Sequence, residues 1–145
     1  MPTPPRWTES RHVNGSENEL AQTGETRLEL PRDPRSAGLA RRFVERQLSD
    51  RRLSEQMVET ALLVSSELVT NAYKHGEGRI ELRLHLFDDR IRIEVIDEGR
   101  GQAPAVREQS GDVIGGWGLQ IVERVALQWG VFEGTTHVWA DLAIA

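Results

Sequence analysis

The sequence predicts an α+β fold, a two-layer α/β sandwich in which a mixed, mostly antiparallel sheet of about five strands carries three helices on one face. Three observations predict it. Ile80, Leu82, Leu84 and Leu86 alternate with Arg79, Glu81, Arg83 and His85, and Ile91, Ile93 and Val95 repeat that period after Asp88 and Asp89. A period of two marks strands buried on one face, here joined as a hairpin. Between Ser54 and Gly76, Met57, Ala61, Val64, Leu68 and Ala72 recur every three or four positions, the stripe of a long amphipathic helix. The full order, β-α-α-β-β-α-β-β, suits one sheet with helices packed against it.

Each element has its own signals. Residues 1–25 are rich in Pro, Ser, Thr, Asn, Gly and Glu without a period, which predicts a disordered leader ahead of a domain over 26–145. Arg27 to Leu30 alternates and ends at Pro31, as an edge strand does. Asp33 followed by Pro34 predicts a helix start, with Leu39, Ala40, Phe43, Val44 and Leu48 as its apolar stripe and an end near Asp50. Ser54 is the expected N-cap of the long helix, with Leu53 and Val58 placed as a hydrophobic staple. From Gly99 to Gly116 the period disappears into a long loop, the kind of segment that is functional or disordered. A helix is expected from about Trp117 through Leu119, Val122 and Ala126, broken by Gly130, and then strands at Val131 to Phe132 and Val138 to Ile144. Trp129 and Trp139 read as core or sheet-packing residues.

Composition bounds the function. With 145 residues, 38% of them hydrophobic, the chain fills one core and not two. A net charge of -5 disfavours a protein that grips nucleic acid through its phosphates. The absence of cysteine excludes disulfides and zinc-thiolate sites. No apolar run approaches the roughly 20 residues that span a bilayer. A cytoplasmic protein with neither nucleic acid nor membrane as direct partner is expected.

Four polar signals interrupt this apolar scaffold. Glu67, Asn71 and His75 lie at i, i+4 and i+8 of the long helix and so form one row. A carboxylate one turn from a carboxamide suits proton abstraction by Glu67 and a hard oxygen for Mg²⁺ from Asn71. The same row would serve as a solvated face, and the residues alone leave both readings open. Lys74 adds a cation suited to phosphates or simply to water, and His75 fits the negative end of the helix dipole. Asp97 closes a strand and opens into Gly99 and Gly101, which places an acceptor for an exocyclic amine at the rim of the core, or else an ordinary strand-ending turn. Gly115, Gly116 and Gly118 enter a helix, where free N–H groups suit phosphate, although the spacing is neither a dinucleotide fingerprint nor a P-loop. Thr135, after Gly134, is a hydroxyl able to reach a base or to close a turn.

In order, ELVTNAYKHG, DEGRG, GGWGL and GT resemble the N box, G1 box, G2 box and terminal Gly-Thr of the GHKL (Bergerat-type) nucleotide-binding fold, over about 26–145. The segments ELPRDP, SSELVTNAYKHG and GTTHVW look most like the bacterial anti-sigma-factor serine/threonine kinases. That resemblance implies ATP and Mg²⁺ as cofactors, Glu67 as general base, Asn71 as magnesium ligand and Asp97 as adenine contact. It implies Gly99 and Gly101 as the turn beneath the base, Gly116, Gly118 and Leu119 as the end of the ATP lid, and Thr135 behind the adenine. Trp117 between the lid glycines departs from the family's pattern. The implied partners are an antagonist protein as substrate and a sigma factor, with a homodimer left open. A stand-alone domain is expected, since no phosphoacceptor helix precedes it and no transducer domain follows Ala145. The alternative is a non-catalytic module whose nucleotide orders a partner surface.

Overall fold

In chain order the elements are β1 (Gln22–Leu30), α1 (Ser36–Leu48), α2 (Glu55–His75), β2 (Ile80–Phe87), β3 (Arg90–Ile96), α3 (Leu119–Val125), β4 (Gln128–Val131) and β5 (Val138–Ala143). The computed structural model describes residues 22–99, 119–131 and 137–144. The five strands form one sheet in the order β1-β2-β3-β5-β4. Every pairing is antiparallel, so the mixed character expected from the sequence is absent among the described strands.

Register explains how one face becomes the core. Leu28 lies opposite Leu82, Leu82 opposite Val95, and Val95 opposite Val138, so one apolar row crosses four strands. A parallel row joins Ile93 to Leu84 and Ala140. Against these rows pack Ala40, Phe43, Val44 and Leu48 of α1, Ala61, Val64, Leu68 and Ala72 of α2, and Leu119 and Val122 of α3. The α2 stripe matches the sequence pattern, with Leu62 and Val69 widening it as a helix buried on a broad face requires. Ser54 is the N-cap, its hydroxyl accepting from the Met57 N–H at 3.0 Å.

Four boundaries differ from the sequence expectation. β1 begins at Gln22, reaching back into the stretch assigned to the leader, because its backbone pairs with β2 as far as Phe87. The first helix starts at Ser36: Asp33 Oδ1 accepts from the Arg35 N–H at 2.7 Å and its carbonyl from the Ser36 N–H at 3.1 Å, so Pro34 and Arg35 form a turn before the helix. α3 ends at Val125, earlier than Gly130. Gly130 instead lies inside strand β4, paired with Trp139.

The sheet's other face is polar and yet largely covered by its own side chains. Asp141 is fully buried and accepts from Arg92 at 2.6 and 2.9 Å and from Gln128 at 2.9 Å. The Arg92 guanidinium lies 4.4 Å over the buried Trp139 ring. Glu94 is approached by His85 at 3.4 Å, His137 at 3.3 Å and Arg83 at 3.9 Å. Burial by itself would raise the Glu94 carboxyl, but the two histidines outweigh it and hold the group well below the usual carboxylate range.

Candidate nucleotide site

The candidate residues gather where the C-terminal half of α2 meets the end of β3. The helix delivers Glu67 and Asn71 one turn apart because 3.6 residues per turn set i and i+4 on one face. Glu67 is half-buried. Asn71 is only 3% exposed, and its side-chain amide nitrogen has no hydrogen-bond partner among the described residues. A buried carboxamide without a partner is costly, about 1–3 kcal/mol, unless a ligand completes it. The unpartnered group is an N–H donor, which an acceptor such as a phosphate oxygen would complete. Lys74 and His75 stand exposed in the last turn of α2, where positive charge is favoured by the helix dipole.

The helix ends at Gly76, whose N–H donates to the Ala72 carbonyl at 2.9 Å. Gly76 has an ordinary extended backbone, φ -96, so its lack of a side chain serves space and not conformation. A β-carbon there would run into the Asp97 carboxylate and lie 2.8 Å from the Ala72 carbonyl oxygen. Asp97 is thus packed directly on the end of the helix that carries Asn71. Its Oδ1 accepts from the Gly99 N–H at 2.6 Å and from the Glu77 N–H at 3.5 Å.

The link between α2 and β2 is pinned to the same corner. Glu98 donates its N–H to the Glu77 carbonyl at 2.8 Å, and its carboxylate accepts from the Arg79 N–H at 3.2 Å and from the Arg79 side chain at 3.3 Å. Gly78 has φ +70, a left-handed backbone that favours glycine, and the Glu98 side chain fills the space a β-carbon would need. This corner is a rigid cradle.

Of the residues named from the sequence, Asp97 and Gly99 meet at this corner, while Glu67, Asn71 and Lys74 lie along the C-terminal half of α2 that leads into it. Leu119 opens α3 and is fully buried in the core. Gly101, Gly116, Gly118 and Thr135 lie outside the described residues. Two contributors have no local signature. Gly76 reads in the sequence as a helix end, and its second task, making room for a carboxylate 21 positions later, is a tertiary fact. Arg32 donates to three main-chain oxygens around the α2 terminus, across a sequence gap that no short pattern reveals.

Comparison with known proteins shows the family and the fold. Residues 30–140 match the histidine kinase-like ATPase domain family, HATPase_c_2. The chain is similar to the serine-protein kinase RsbW of Listeria innocua, with 29% identity over 112 residues, 66% of this chain and 71% of that protein. Its fold is similar to the crystal structure of the RsbU and RsbW domains of a Mycobacterium tuberculosis protein, with a TM-score of 0.61 and 23% identity. That match covers 84% of this chain and 32% of the solved one, so this chain spans under a third of its length. Among the described residues no helix is long and apolar enough to cross a membrane. With the match extending over most of its length, the chain belongs to the histidine kinase-like ATPase domain family.

Proposed function

We propose that this chain is an ATP-dependent serine/threonine protein kinase of the anti-sigma-factor type, which phosphorylates an antagonist protein and also binds a sigma factor. The observation that supports the nucleotide reading is a buried Asn71 whose amide nitrogen is unpartnered among the described residues, on the helix whose end the Asp97 carboxylate packs against. Similarity to a serine-protein kinase supports the transfer step.

In this reading Asp97 accepts from the exocyclic amine of adenine. The Gly76–Gly78 link and Gly99 hold that carboxylate in place from both sides. Asn71 faces the phosphates, where its carboxamide oxygen would hold Mg²⁺. When bound, the ion neutralises charge on the phosphate oxygens. Glu67, one turn earlier, takes the proton from the attacking serine or threonine hydroxyl as the new O–P bond forms. The bond between the γ-phosphorus and its bridging oxygen breaks, and ADP leaves. Positioning and charge neutralisation account for most of such catalysis.

Incubation with γ-labelled ATP and candidate antagonist proteins tests the reading. Label should appear on serine or threonine of one of them, and Glu67→Ala should slow the transfer by about two to four powers of ten while nucleotide affinity stays nearly intact. Tight ATP binding without transfer to any protein would favour the non-catalytic module instead.

A further inference from the structure

Arg32 sits in the turn between β1 and α1, and its fork closes on the far side of the proposed adenine cradle. Nη1 donates to the carbonyls of Ala72 at 2.8 Å and Tyr73 at 2.7 Å, and Nε donates to the Gly78 carbonyl at 2.7 Å. The Ala72 carbonyl also accepts from the Gly76 N–H, so Arg32 adds a second donor there, and a cation at this end of the helix complements the dipole. Here the same guanidinium also grips Gly78, beyond the helix end. A planar fork with donors in fixed directions can bridge the two segments; a lysine ammonium, a point charge on a flexible stem, cannot hold their relative angle.

The other side of that link is the nucleotide corner. Ala72 follows Asn71 in the chain, and its carbonyl lies beside the space at Gly76 that Asp97 occupies. The segment 72–78 is therefore held by Arg32 through the Ala72, Tyr73 and Gly78 carbonyls and by Asp97 and Glu98 through the Glu77 main chain.

We propose that Arg32 is a positioning residue for adenine recognition: it sets the α2 terminus and the Gly76–Gly78 link, and through them the seat of Asp97. It rests on the nucleotide reading given above. The prediction concerns base selectivity more than stability, because Arg32 acts through the group that reads the base.

Calorimetric titration with Mg-ATP, Mg-GTP and inorganic triphosphate, on the unaltered chain, Arg32→Ala and Arg32→Lys, tests it, with thermal unfolding of each variant measured alongside. Both variants should lose about tenfold in ATP affinity, the scale of one charge-assisted hydrogen bond. The preference for ATP over GTP should narrow by a similar factor, with triphosphate affinity unchanged. The lysine variant keeps the charge at the helix end, so the assay does not depend on the alanine variant folding. Equal proportional losses for ATP, GTP and triphosphate, or an unchanged ATP to GTP preference in a folded variant, would overturn the proposal. Absence of ATP binding by the unaltered chain would overturn the nucleotide reading as well, and so is distinguished from a failure of Arg32 alone.

Discussion

Glu94 and Asp97 leave the same stretch of chain three residues apart, one within β3 and one just past its end, and their surroundings differ in kind. Glu94 is flanked by two imidazoles and a guanidinium on the covered polar face of the sheet, with 9% of its side chain exposed. Asp97 is held by main-chain N–H groups and by contact with Gly76 at the corner where α2 ends. Side-chain donors around a buried carboxylate serve stability, since they offset its desolvation. The Gly99 and Glu77 N–H groups orient the Asp97 carboxylate, which in the proposed function accepts from a ligand amine. The difference teaches that two carboxylates three residues apart can be held from different directions, one by side chains across the sheet and one at the end of a helix.

The largest expected effect breaks this comparison on the structural side. Glu94→Ala removes the carboxylate between His85, His137 and Arg83, and stripping one partner from a buried ion cluster costs about 3–5 kcal/mol. Urea unfolding should register that loss, with ATP affinity of the remaining folded protein unchanged. Asp97→Ala should do the converse. Removing a charged acceptor is expected to weaken ATP by about 1.5–3 kcal/mol, or roughly 10- to 150-fold in Kd, with a smaller change in unfolding midpoint.

Gly76→Ala sharpens the recognition side. Its β-carbon takes the space of the Asp97 carboxylate, so ATP affinity should fall by about tenfold or more although the backbone there suits any residue. In a double-mutant cycle with Asp97→Ala the two losses should be far from additive, because they act on one contact.

Acid sharpens the structural side. The folded Glu94 carboxyl lies below its ordinary value of 4.5, so the stabilisation it gives is present above about pH 4.5 and is lost as pH falls toward the folded value. Denaturant midpoints recorded down the acid limb should therefore drop less steeply in Glu94→Gln than in the unaltered chain. The smallest effect is remote from both carboxylates. Ser54→Ala removes the N-cap acceptor of α2 and should cost about 1 kcal/mol of stability, read by thermal unfolding, with nucleotide affinity unaffected.

Much of the scaffold was legible in the sequence because it rests on local periods. The α2 stripe with its Ser54 and Gly76 ends, and the β2–β3 hairpin, follow from spacing that one face of a helix or strand must have. β4 was misplaced because Gln128–Val131 holds a glycine and an exposed glutamine, so neither period is visible over four residues. The candidate site was legible as a set of residues, Glu67, Asn71 and Asp97, and not as an arrangement. That Asp97 lies on Gly76, and that Arg32 grips the same link, depends on chain segments 20 to 46 positions apart. The histidine clasp on Glu94 was hidden for a related reason. His85 and Glu94 appear in the sequence as outward strand positions, and only the β2–β3 register, together with the placement of His137 before β5, brings them together.

The central claim is that the end of α2 and the end of β3 form one adenine nucleotide site read by Asp97. It is tested most directly by calorimetric titration of Mg-ATP into the unaltered chain and into folded Asp97→Ala. Saturable binding to the first, weakened at least about tenfold in the second, is the predicted result; equal affinity in both proteins would contradict it.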